Sequence, residues 1–105
     1  MRLFSRLAAC VLCCAPALAA AELAPEFWDR PRSASAMLAQ DAVRHAVAEY
    51  HARPAARLVI IHGGGQEAQL QAAELRAWLV ALAIDGTRLF LRADPAARSL
   101  RIVIE

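Results

Sequence analysis

A histidine followed by three glycines and a glutamine is the part of this chain whose residue types could do chemistry. The segment comes directly after the apolar run Leu58 to Ile61. After a strand, a histidine and a glycine cluster can form an oxyanion hole, cradle a phosphate, or make a tight turn into a helix. The candidate ligand-binding residues are therefore His62, Gly63, Gly64, Gly65 and Gln66.

The other residues that an oxyanion hole or a phosphate-binding loop requires are absent from the sequence. An oxyanion hole needs a nucleophile, but the hydroxyl candidates in residues 22–105 are Ser33, Ser35, Ser99 and Thr87, and none lies in a Gly-x-Ser-x-Gly elbow. The glycines also lack the Gly-Lys-Ser/Thr of a P-loop and the spacing of Gly-x-Gly-x-x-Gly. Glu67, at the start of the next helix, would repel a phosphate. We therefore predict a strand-to-helix turn here, with no enzyme activity and no cofactor.

A metal site would need converging ligands, and the histidines do not provide them. His45 and Glu49 are four residues apart on one helix face, which is compatible with a metal but is also the spacing of an ordinary surface pair. His51 does not share that face, and His62 lies on another element. No Cys-x-x-Cys or His-Glu-x-x-His occurs. No metal site is predicted.

Two helices are predicted on either side of the apolar run. Apolar residues spaced at one helix face predict an amphipathic helix over residues 41–52, and Pro54 ends it. The stretch 66–83 has no glycine or proline and carries one apolar stripe, formed by Leu75, Trp78, Leu79 and Leu82. These two helices must position the glycine turn between them.

The strands complete an α/β (α+β) fold. Residues 57–62 are apolar on both faces, which predicts a central strand covered on both sides, or covered by helices on one side and a partner on the other. Weak alternation predicts a first strand over 33–38, and strands are also predicted over 87–92 and 100–105. The order β-α-β-α-β-β predicts a two-layer sandwich, with two helices on a small mixed sheet and the last two strands paired as a hairpin.

The chain begins with the features of a secretory signal peptide. Arg2 and Arg6 precede a short apolar run, and small residues follow Pro16. We predict a signal peptide over residues 1–21 and an extended arm over 22–32, with Phe27 and Trp28 attaching the arm to the domain. The small α/β domain itself is predicted over residues 33–105. The predicted location is the bacterial periplasm or the cell exterior.

The composition of the processed chain excludes several partners. All three cysteines lie in the leader, so the processed chain would have no disulfide. Cys10 follows a lipobox-like sequence, but the apolar run before it is short, so lipidation at Cys10 is a minor alternative. Without the leader, ten arginines balance ten acidic residues. No basic stripe indicates nucleic acid, and no later segment is predicted to span a membrane.

Residues 41–92 resemble the OmpA-like domain, a peptidoglycan-binding module. The segment LVIIHGGGQ stands where that family has a strand and its loop, and Leu79, Ala83-Ile84 and Leu89 keep the spacing of the following helix end and strand. The segment SLRIVIE is similar to the family's last strand. The resemblance implies a helix, strand, helix, strand order and a ligand site at the loop.

The charged residues of that ligand site are not retained. The family holds a free carboxylate of peptidoglycan with a loop aspartate and a helix arginine. Here Gly64, Gly65 and Gln66 occupy the loop, and the arginine position falls near Leu70 or Gln71. The expected function is therefore a non-catalytic envelope protein that acts through contacts with an unknown envelope protein. The alternative is peptidoglycan binding by an altered site around His62 to Gln66.

Overall fold

The computed structural model describes residues 21–105 of the chain. The predicted leader and Cys10 lie outside the described residues, apart from Ala21. The elements are β1 (Ala21–Glu22), α1 (Ala34–Leu38), α2 (Asp41–Ala52), β2 (Leu58–His62), α3 (Gln66–Ala81), β3 (Leu89–Ala93) and β4 (Arg101–Ile104), with 3-10 turns at Pro25–Asp29 and Gly86–Arg88. Within this range, no helix has the length and apolar character needed to cross a bilayer.

The strands form one mixed sheet in the order β1-β4-β2-β3. β2 runs parallel to β3 and antiparallel to β4, and β1 pairs antiparallel with β4. One core cluster joins buried residues of α2 and α3 to a single face of the sheet, and its members include Val43, Leu58, Ile60, Leu75, Leu79 and Ile102. The predicted α/β two-layer sandwich with a small mixed sheet is confirmed.

The strand predicted over residues 33–38 is wrong, because this segment is the helix α1. The hydroxyl oxygen of Ser33 accepts a hydrogen bond of 3.1 Å from the backbone N–H of Ala36 and so caps the helix. The alanines that follow favour a helix, and Met37 is fully buried on its inner side. The strand that precedes the first long helix is instead β1, within two residues of the predicted leader boundary.

The predicted hairpin of the last two strands is also wrong. β2 lies between β3 and β4 and pairs with both. The reason is that β2 is apolar on both faces and therefore takes the centre of the sheet. The connection 94–100 passes over the end of β2, where the Asp94 N–H donates a 2.8 Å hydrogen bond to the carbonyl oxygen of His62.

The outer face of the sheet, which no helix covers, is sheltered by long side chains. Val59 and Ile61 are buried although they point away from the core helices. The Arg57 guanidinium lies 4.5 Å from the centre of the Phe90 ring, and the guanidinium of Arg92 pairs with Glu105 at 3.4 Å. The stems of these arginines can cover apolar surface while their charges stay in water. The expected partner layer on this face is thus supplied by the chain itself.

The C-terminus of α3 ends in a turn that places an alanine at positive φ. The Ile84 N–H donates to the Leu79 carbonyl and the Ala83 N–H to the Val80 carbonyl, which is the Schellman arrangement. Ala83 has φ of 76°, a conformation that glycine adopts with less strain. The turn directs Ile84 back into the core, where it is buried.

Candidate functional site

The glycine segment makes the strand-to-helix turn that the sequence predicts. β2 ends at His62, and Gly65 is the N-cap residue of α3 with φ of −79°. No glycine in residues 21–105 has positive φ, so the turn does not depend on that freedom. At Gly63 the space for a side chain is small, since a Cβ there would lie 3.1 Å from the carbonyl oxygen of Ala97. A Cβ on Gly64 or Gly65 would meet open space.

His62, the last residue of β2, is buried. Only 5% of the residue is exposed, because it lies on the helix-covered face of β2 together with Leu58 and Ile60. Its ring Nδ1 is 2.8 Å from the carbonyl oxygen of Gly63. His62 therefore supports the turn from within, while Gly64, Gly65 and Gln66 are the exposed members of the predicted site.

A shallow groove of about 210 Å³ lies beside the turn. Three parts of the chain meet there: the N-terminal segment, the first turns of α3 and the connection between β3 and β4. Its aromatic, polar and charged lining residues are Trp28, Glu67, Gln71, Arg98 and Ser99. The groove opens at the carboxyl end of the parallel strands, which is where ligands bind in many α/β folds.

Arg98 supplies the groove with a positive charge that α3 does not provide. It is exposed and makes no ion pair or hydrogen bond with another side chain in the described part of the chain. The helix position implied by the family is occupied by Leu70, which is 64% exposed, and by Gln71. Arg76 is engaged elsewhere, since it donates a 2.7 Å hydrogen bond to the Gly86 carbonyl.

An arginine clamp fixes Trp28 at the wall of the groove. Nε and Nη2 of Arg32 each donate a 2.9 Å hydrogen bond to Glu74, and Nη1 donates to the Trp28 carbonyl at 3.0 Å. Hydrogen bonding by Arg32 is the main reason that the pKa of the Glu74 carboxyl lies below its usual range, and Trp78 Nε1 adds a further bond. Phe27, packed edge-on against Trp28 at 5.2 Å, belongs to the buried core cluster, which confirms the predicted attachment of this segment. The predicted extended conformation is wrong, because Pro25–Asp29 form a 3-10 turn.

The residues considered for a metal do not converge. His45 is exposed, and Glu49 pairs instead with Arg53 at 3.3 Å. His51 stacks edge-on against Tyr50, with 5.8 Å between the ring centres. No group of three or more potential ligands forms within residues 21–105.

A second surface is the open edge of β3. Within the described residues, β3 pairs only with β2, so its other side has no neighbouring strand. Phe90 is 39% exposed and Leu91 is 38% exposed. The strand has no proline and only one charged residue, Arg92. Backbone groups and apolar side chains are thus presented together along this edge.

Comparison of the chain with protein-family models, with curated proteins and with solved structures finds no match. The groove and the β3 edge are therefore described from the geometry of this chain alone. Sequence reasoning missed Arg32, Glu74 and Arg98, because their neighbours come from distant parts of the chain. The sequence signal for the β3 edge was the run of three consecutive apolar residues from Leu89 to Leu91. A strand with one face in water needs apolar residues only at alternate positions, so this run leaves apolar side chains on both faces.

Proposed function

We propose that this is an exported, non-catalytic envelope protein of OmpA-like ancestry that acts through protein contacts at the open edge of β3. The observation that carries the proposal is that, within residues 21–105, one side of Leu89–Ala93 pairs with no strand. Proteins usually protect such an edge with prolines, inward charges or a covering loop. This strand lacks a proline and leaves Phe90 and Leu91 more than one-third exposed, so it fits an added strand from a partner.

The export part of the proposal rests on the leader sequence. The stable protein should begin between Ala20 and Glu22, because small residues precede each of these positions. N-terminal sequencing of the protein from the periplasmic fraction tests this. Recovery of a stable chain that begins at Met1 would exclude cleavage at the predicted site.

The contact part is tested by placing a photo-crosslinking amino acid at Leu91 in cells that express the protein. A matched control carries the same amino acid at Ala48, which is exposed on α2, away from the edge. Crosslinks to protein from position 91 and none from position 48 would support contacts at β3. Equal crosslinking at both positions, or none at position 91, would contradict them.

Peptidoglycan binding is the second candidate function, and Arg98 is the observation that favours it. Its guanidinium, which pairs with no side chain among residues 21–105, lies in the groove beside Gly63 and α3, where it could pair with a carboxylate in two parallel bonds. The test is titration with muropeptides that carry a free diamino-acid carboxylate. Arg98→Gln should abolish binding if this site is used, and Arg44→Gln, on the exposed face of α2, should leave it unchanged. Binding that survives Arg98→Gln would remove this candidate site.

A further inference from the structure

The outward-facing backbone groups of β3 can be assigned residue by residue. The Asp94 N–H donates to the His62 carbonyl, so Asp94 faces β2. Because backbone groups alternate in direction along a strand, Phe90 and Arg92 also face β2, whereas Leu91 and Ala93 direct their N–H and carbonyl groups to the open edge. Side chains alternate as well: Leu91 is on the helix side, and Phe90 and Arg92 are on the outer side.

We propose that the partner at this edge is a second copy of the chain, paired antiparallel through β3 with Leu91 on the twofold axis. This inference rests on the proposed contact function of the same edge. The two Leu91 residues would exchange both of their backbone hydrogen bonds. The same pairing would cover the exposed sides of Leu91 and Phe90, and it would join the two sheets into one.

The charge of Arg92 on β3 and those of Arg88 and Asp94, directly before and after the strand, favour this register. With Leu91 on the axis, Phe90 lies opposite Arg92 of the second copy, and Arg88 lies opposite Asp94. With Phe90 on the axis, Arg88 would instead face Arg92, and with Arg92 on the axis, two arginines would face each other directly. Like charges directly opposite each other destabilise a strand pair, whereas an arginine beside an aromatic ring is favourable. Of the three registers centred on Phe90, Leu91 and Arg92, which pair the most residues of the strand, only the one centred on Leu91 avoids opposed arginines.

The self-complementary character of the strand also favours a second copy over an unrelated segment. Leu91 would pack on Leu91 and Leu89 would lie opposite Ala93, so the helix side of the joint sheet receives apolar residues from both copies. The pairing region is only one short strand, which corresponds to a small, weak interface. The expected behaviour is therefore a reversible dimer that depends on concentration.

The experiment uses a charge exchange at the axis. The purified protein is examined by analytical ultracentrifugation from about 10 µM to about 1 mM, the range for weak interfaces. The wild-type mass should rise toward twice that of the monomer. Leu91→Lys and Leu91→Glu should each stay monomeric, because two like charges would meet, and an equimolar mixture of the two should recover the dimer. Leu70→Lys, at an exposed position on α3, should dimerise like the wild type.

Hydrogen exchange separates a loss of pairing from a loss of folding. The amides of Phe90 and Arg92 should be protected in every variant, because they face β2. The amides of Leu91 and Ala93 should gain protection only as the dimer forms. A wild type that stays monomeric to about 1 mM, or a charge-exchanged mixture that does not associate, would overturn the self-pairing. Crosslinks from position 91 to another protein would then leave the contact function standing with a different partner.

Discussion

Arg32 donates two 2.9 Å hydrogen bonds to the two carboxylate oxygens of Glu74, across forty-two positions of sequence separation. The pair ties the N-terminal segment to α3, with the Arg32 guanidinium 5.3 Å from the centre of the Trp28 ring. The wall of the groove therefore depends on a contact between two side chains that are 28% and 34% exposed. Its bidentate geometry makes it stronger than an ordinary surface ion pair.

This clamp makes the stability of the protein depend on pH. The pKa of Glu74 is lowered in the folded state, so the contribution of the pair is present above the ordinary glutamate range, about pH 4. It is lost as the pH falls through the folded-state value. Glu74→Gln should lower the free energy of unfolding at neutral pH and have less effect in acid. Urea denaturation across this range measures the difference, and Glu49→Gln is the control because Glu49 lies on α2, outside the clamp.

Leu79 carries a large share of the packing between α3 and the sheet. The side chain is fully buried in the same cluster as Ile60. Leu79→Ala should lower the free energy of unfolding by about 2–5 kcal/mol, because the cavity would add to the lost apolar burial. Leu70→Ala, on the same helix but 64% exposed, should change it little. Equal effects of the two substitutions in urea denaturation would mean that the helix packs by another face.

Adjacent glycines of the turn should respond in opposite directions to the same substitution. Gly64 has no positive φ and open space around it, so Gly64→Ala should raise the free energy of unfolding by about 0.4–1 kcal/mol. Gly63→Ala should lower it, because the added Cβ would press on the Ala97 carbonyl beside the Asp94–His62 hydrogen bond. Thermal melts of both variants test this. A higher melting temperature for Gly63→Ala would contradict the prediction and would mean that the connection 94–100 can shift to make room for the added Cβ.

The end of α3 offers a stabilising substitution. Ala83 has φ of 76°, a region that is costly for residues with a Cβ by about 1–2 kcal/mol. Ala83→Gly should therefore raise the melting temperature. Ala77→Gly, at an exposed position inside the same helix, should lower it, because glycine costs about 1 kcal/mol in a helix interior. The same substitution would thus raise the melting temperature at position 83 and lower it at position 77. A lower melting temperature for both variants would contradict the positive φ of Ala83.

Repeating local patterns predicted the elements that make up most of this fold. The apolar spacing of 41–52 and of Leu75 and Leu79 gives helices because one stripe must be buried, and the doubly apolar run before His62 gives a central strand. The segment 33–38 was misassigned because its weak alternation also suits a short capped helix, and only the contact from Ser33 to Ala36 distinguishes them.

The candidate site was less predictable, because its geometry depends on distant contacts. His62 is buried because the helices cover the face of β2 on which it lies. The residues next to His62 in the sequence do not determine which face is covered. Consecutive strands usually pair with each other, which favours a hairpin of β3 and β4. Here the doubly apolar β2 lies between them, because it must be covered on both sides. Arg98 and the Arg32–Glu74 clamp likewise have no local pattern, since each is defined by residues from separate elements.

The outer face of the sheet is covered by side chains that form ion pairs with one another, whereas the inner face is covered by helices. Arg92 meets Glu105, and Arg101 meets Asp94 at 3.5 Å, where mobile ions can reach both pairs. Dissolved ions screen such exposed pairs over about 8 Å at physiological ionic strength. A rise in the salinity around the protein should therefore loosen the cover over Val59 and Ile61 while the helix-covered core stays dry.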